Sequence, residues 1–137
     1  MNSISIVSGG FDPLHVGHIE LFERAASLSD KLLVILNTDQ FLINKKGKPF
    51  MPFEERKIIV SSLRVVYDVI GCVDEDQTVC ETLRFISENY DGVKRFCNGG
   101  DRTSGENTPE HKVCLELGIE SVYGLGDKIQ SSSWLTK

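Results

Sequence analysis

Ile4-Ser5-Ile6-Val7-Ser8-Gly9-Gly10-Phe11-Asp12-Pro13-Leu14-His15-Val16-Gly17-His18 is the stretch from which the fold and its chemistry are read. Its first five residues form a short β-rich run that ends on a glycine pair. Beyond His18, Ile19, Phe22 and Ala26 recur at helical spacing on one face. A strand passing through glycines into a helix presents main-chain N–H groups and the positive end of the helix dipole, which favour a phosphate. Gly9 and Gly10 allow the backbone to approach a ligand without interference from a Cβ. His15 and His18 stand three apart, so at a helix start they project to one side, and Gly17 between them leaves room for a bulky anion. Two imidazole donors there suit charge developing on a transferring phosphoryl group. A lone histidine in such a place is most often structural; a pair around a glycine, directly after a strand, reverses that preference. Neither G-x-G-x-x-G nor G-x-x-x-x-G-K-[ST] occurs in the chain.

The remaining sequence alternates in the same way. Lys31 to Leu36 is continuous and apolar, as expected of a strand buried on both faces of a parallel sheet. A polar loop is expected from Asn37 to Phe50, carrying Lys45, Lys46, Gly47 and Lys48. Pro52 opens a second helix with Ile58, Ile59, Ser62 and Leu63 toward its inner face. Tyr67 to Val73 reads as a third strand, Thr78 to Asn89 as a third helix and Val93 to Cys97 as a fourth strand. The turn Asn98-Gly99-Gly100-Asp101 follows. Thr108 is an N-cap before Pro109 and Glu110, Gly118 a C-terminal stop, and Ile119 to Tyr123 a fifth strand. Ser131-Ser132-Ser133 opens a last short helix. Alternation of this kind predicts a Rossmann-like three-layer α/β/α fold with a five-stranded parallel sheet, in one domain spanning residues 1–137. Ligands of such sheets gather at the carboxyl ends of the strands.

Composition narrows the function classes. The chain has 137 residues, 40% hydrophobic and 26% charged, as a soluble globular domain would. A formal charge of −5 argues against a nucleic-acid partner, and no apolar run reaches the roughly 18 residues of a membrane span. Ile4 to Val7 is too short, and lacks the basic flank, to be a signal peptide, so the cytoplasm is the expected compartment. Cys72, Cys80, Cys97 and Cys114 are widely spread without a C-x-x-C pair, a pattern of reduced thiols with no metal site.

The tract GGFDPLHVGH resembles the H-x-G-H signature of the cytidylyltransferase-like nucleotidyltransferases. The likeness extends along nearly the whole chain: Pro52 to Lys57 is similar to the family's E-x-R-K helix start, Asn98 to Asp101 to the G-G-D turn of its heptose branch, and Ser131 to Ser133 to its serine- and threonine-rich run. The resemblance implies in-line attack by a substrate phosphate on the α-phosphorus of a nucleoside triphosphate, ATP or CTP, with release of pyrophosphate. A phosphate monoester, with a second pKa near 6, is already largely dianionic at neutral pH, so no general base is needed. It further implies that His15, His18 and either Lys45 or Lys46 act on the triphosphate and the transition state. Gly9, Gly10, Phe11, Gly17, Gly99, Gly100, Asp101, Ser131, Ser132 and Ser133 would line the nucleotide, and Arg56, Asp12 and Asp39 would bind a phosphate, ribose or acceptor. Mg²⁺ is expected as a passenger of the triphosphate, since the sequence offers no carboxylate cage.

Departures from the family pattern matter too. The arginine of the R-T-E-G-I-S-T tract is missing from Gly126-Asp127-Lys128-Ile129-Gln130-Ser131-Ser132, which, with the Gly99-Gly100-Asp101 turn, leans toward the adenylyl-transferring branch. The R-x-V-D-E-V-I segment, near a dimer contact in the family, is here Arg64 to Ile70 with Tyr67 in place of its central acid, leaving a homodimer as an expectation. Competing readings are a coenzyme-pathway adenylyltransferase acting on phosphopantetheine, flavin mononucleotide or nicotinamide mononucleotide, and a nucleotide-sensing module without turnover.

Overall fold

A computed structural model describes residues 3–76, 78–99 and 108–125. The elements run β1 (Ser3–Gly9), α1 (Val16–Ser27), β2 (Lys31–Leu36), α2 (Asp39–Lys46), α3 (Phe53–Ser61), β3 (Asp68–Gly71), α4 (Cys80–Asn89), β4 (Val93–Gly99), α5 (Pro109–Leu117) and β5 (Glu120–Leu125). All five strands are parallel, in the order β3-β2-β1-β4-β5. The order reverses direction beside β1, so the crevice at its carboxyl end is where such a sheet opens for a ligand.

Why the sheet is buried on both faces follows from its strands. β2 is β-branched and leucine-rich, and residues Leu32 to Leu36 are almost wholly hidden from solvent. Alternate residues enter two separate cores. Ile4, Ile6, Leu33, Ile35 and Phe96 pack on one face against Leu83 and Ile86 of α4 and Val113 and Cys114 of α5. Val7, Leu32, Val34, Leu36 and Cys97 pack on the other against Phe22 and Ala25 of α1 and Val60 of α3. The expected three-layer arrangement is therefore present.

Two local expectations are corrected. Asn37 to Phe50 is not a loop throughout: Asp39 to Lys46 is helical, capped by Thr38, whose Oγ1 accepts from the Phe41 N–H at 3.1 Å, and ended by Gly47 at φ 98°. Leu42 is the one strongly buried apolar residue of this helix, so no 3.6-residue stripe announces it. In α3 the buried residues are Arg56 and Val60, while Ile58 is 64% exposed and Ser62 is exposed; of the expected residues, Leu63 just past the helix does pack against this core. Expected caps do hold at α5, where Thr108 Oγ1 accepts from the His111 N–H and Gly118 takes a left-handed φ of 72°. The expected helix at Ser131 to Ser133 lies outside the described residues.

Candidate active site

The link from β1 to α1 ends at His15, the N-cap of α1, and there the two histidines cap the helix reciprocally. The Gly17 N–H donates to His15 Nδ1 at 3.1 Å, and the His15 N–H donates to His18 Nδ1 at 3.2 Å. A serine–glutamate capping box makes the same two bonds with oxygens. Because each Nδ1 accepts, each neutral ring carries its proton on Nε2, leaving one N–H donor per ring for another partner. The rings stack with centroids 3.7 Å apart and planes 20° from parallel, as two cations would not. Burial holds His15 below the ordinary histidine range; burial first and His15 second push His18 down to about 3. Both are neutral donors at physiological pH.

Phe11 fixes the His18 ring from behind. It sits edge-on to His18, with centroids 4.8 Å apart, and edge-on to Phe22 at 5.0 Å. Its φ of 48° is costly for a residue with a Cβ, and its burial in the core holds it there. The glycines before it let neighbouring side chains approach closely. A Cβ on Gly9 would stand 2.9 Å from Phe11 Cζ, and one on Gly10 2.8 Å from Leu42 Cδ2. Neither has a positive φ, so the freedom used is that of space.

Arg56, expected at a phosphate, is instead fully buried among acceptors of the chain itself. Nε donates to Met51 O at 2.9 Å; one Nη to Gly10 O at 3.0 Å and Asn37 O at 2.7 Å; the other to Asp39 Oδ1 at 2.8 Å. It ties the ends of β1 and β2, the start of α2 and the turn before α3 into one unit. Asp12 works beside it: its carboxylate, 2% exposed, accepts from the Phe50 N–H through Oδ2 and from the Met51 N–H through Oδ1 at 2.6 Å. Asp39 spends one oxygen on Arg56 while its side chain remains 42% exposed. Arg56 and Asp12 are thus positioning residues in this geometry, and the guanidinium is not presented to solvent.

Lys45 is exposed on α2, and Lys46 ends that helix. Gly99 closes β4. Gly100, Asp101, Ser131, Ser132 and Ser133 lie outside the described residues. Among the described residues no group of three or more His, Cys, Asp or Glu side chains is placed to hold a metal. Sequence reasoning missed Asn37, 5% exposed, whose Oδ1 has no donor among the described residues. It also missed a cavity of about 370 Å³ between α2 and the segment after β3.

With this geometry in view, comparison with known proteins decides the family. Residues 6–113 match the model of the cytidylyltransferase-like family. The chain belongs to the cytidylyltransferase-like nucleotidyltransferases. It is similar to the glycerol-3-phosphate cytidylyltransferase of Bacillus spizizenii (strain ATCC 23059 / NRRL B-14472 / W23), 43% identical over 119 residues, 78% of this chain and 92% of that one. To the glycerol-3-phosphate cytidylyltransferase of Bacillus subtilis (strain 168) it is 46% identical over 65 residues, which span 47% of this chain and half of that relative. Among solved structures, the lipopolysaccharide core biosynthesis protein from Thermoplasma volcanium GSS1 shares the fold, with a TM-score of 0.74 at 23% identity over 93% of this chain and 99% of that one. The described residues of this family member contain no helix long and apolar enough to cross a membrane.

Proposed function

We propose that the chain transfers a nucleoside monophosphate from CTP or ATP to a small phosphorylated acceptor, a polyol or sugar phosphate, releasing pyrophosphate. The observation that carries this reading is the reciprocal histidine cap, which leaves two uncharged Nε2–H donors at the N-terminus of α1. Such donors stabilise charge that grows on the phosphoryl oxygens without a change of protonation, and being fixed by Phe11 and the helix they need no reorganisation. The acceptor's phosphate oxygen attacks the α-phosphorus as the bond to the β-phosphate oxygen breaks, and the electron pair leaves with pyrophosphate. Mg²⁺ belongs to the triphosphate in this scheme, and no step of the chain's own residues depends on it. The likeness to two glycerol-3-phosphate cytidylyltransferases favours CTP, against the lean toward ATP drawn from residues 99–101 and 126–132.

The test is pyrophosphate release with each triphosphate crossed against phosphorylated acceptors. His18→Ala should lower kcat by a hundredfold or more, since one preorganised donor contributes about 3 kcal/mol, while unfolding stability falls by only about 1 kcal/mol for the lost cap. Near-wild-type turnover in that variant would remove His18 from the reaction.

A further inference from the structure

The sheet opens between β1 and β4, because the helices that follow these neighbouring strands leave to opposite faces, α1 to one core and α5 to the other. The two histidines at the start of α1 stand on one side of that crevice, and the carboxyl end of β4 forms the other. There the pairing of β4 with β5 breaks step. Cys97 pairs with Val122 and Gly99 with Leu125, so one residue of β4, Asn98, stands opposite two of β5, Tyr123 and Gly124. Such bulges are rare between parallel strands, and they occur beside active sites, where they re-aim the chain.

Polar contacts hold this irregular end. Phe96 and Cys97 are buried and apolar, whereas Asn98 is half-buried and polar. Its Nδ2 donates to Val122 O at 3.3 Å, bridging the strands at the residue where the ladder breaks. Side chains alternate along a strand, so Asn98 shares the face of Phe96, the face covered by α5. On that face the Tyr123 hydroxyl lies 3.2 Å from His111 Nδ1, and the His111 N–H donates to Thr108 Oγ1, the cap of α5, at 3.2 Å. One run of contacts thus ties the end of β4 to the start of α5 by way of β5. Gly99, the last residue of β4, has no side chain to anchor it, and the Asn98 bridge beside it does so instead. Main-chain groups that meet a ligand must be held to about 0.5 Å to be of use.

We infer that Asn98 is a positioning residue for the triphosphate: through the bulge it sets the place of the Gly99 main chain, across the crevice from the histidines, and so governs how tightly the nucleotide is held rather than how fast it reacts. The inference rests on the nucleotidyl-transfer reading and adds a residue to the same site. Calorimetry with CTP and with ATP tests it without an acceptor, and pyrophosphate release tests it with one. Asn98→Leu, which keeps the shape but not the donor, and Asn98→Ala should each weaken triphosphate binding roughly five- to tenfold. The triphosphate's KM should rise by the same factor, with kcat and the acceptor's KM within about twofold of wild type. Tyr123→Phe, which removes only the hydroxyl at His111, should shift the triphosphate in the same direction by about threefold. A purely structural role would instead lower thermal stability and leave the affinity of the folded protein unchanged. An unmoved Kd in both Asn98 variants, equal rises in both KM values, or a loss in kcat alone would overturn the inference. Should neither Asn98 variant fold, an unmoved Kd in Tyr123→Phe does so. Triphosphate binding that the variants weaken, with no pyrophosphate released by the wild type on any acceptor, would overturn the transfer reaction and keep the role of Asn98. Binding of neither triphosphate to the wild type would overturn both.

Discussion

At the scale of single residues, the site is governed by what its histidines cannot do. Each imidazole uses Nδ1 as an acceptor for a main-chain N–H, and protonation of either ring would turn that acceptor into a donor facing a donor. The cost is visible as a pH dependence of stability. His18 holds a folded pKa of about 3, below its ordinary 6.5, so between those values the unfolded chain binds a proton that the folded chain refuses. Stability from this residue is complete above pH 6.5 and is lost as pH falls, by up to about 1.4 kcal/mol per pH unit. Urea unfolding at pH 7.5 and 4.5 should show a larger loss for the wild type than for His18→Asn, which has no ring to protonate. An equal loss in both would mean that the cap is not closed in solution. Turnover should follow a different titration, falling near pH 6 as the acceptor phosphate gains its second proton.

Elements reveal what the residues alone conceal. β1, β2 and α1 were legible because continuous apolar runs and helical spacing stem directly from burial, and the H-V-G-H tract marked the helix start. α2 was not, since its stability comes from the Thr38 cap, the Asp39–Arg56 pair and a Gln40–Asn44 bond, with one buried apolar side chain. The Thr38-Asp39 start and Gly47 stop were its available signals. Arg56 shows the same limit in the opposite sense. An arginine in E-x-R-K reads as a surface or phosphate-binding charge, and only tertiary structure brings Met51 O, Gly10 O, Asn37 O and Asp39 around it. Arg56→Ala strips several buried carbonyls of donors at once and should lower unfolding stability by about 3–5 kcal/mol. Arg56→Lys should recover less than half of that, because an ammonium cannot reproduce the planar fork. Thermal and urea unfolding check both; a stable Arg56→Ala protein with only a raised KM would restore the ligand-binding role.

For the molecule as a whole, two cores share one sheet, and the strands that divide them carry little redundancy. Leu33 is fully buried in the core beneath α4 and α5, so Leu33→Ala should cost about 2–5 kcal/mol, measurable by urea unfolding. A loss below 1 kcal/mol would show that this layer is loosely filled. The strand order holds a further consequence, for assembly over time. β1 precedes the other four strands of the sheet yet lies in its middle; it finds β2 soon, but its other edge waits for β4, with Ser3 opposite Val93 and Ile6 opposite Phe96. A growing polypeptide must therefore keep one side of β1 unzipped until β4 has been made, and closing that seam spans the longest loop in the sheet. Pulse-labelled amide exchange should find the β1–β2 bonds protected before those joining β1 to β4; simultaneous protection would mean that the sheet zips as one.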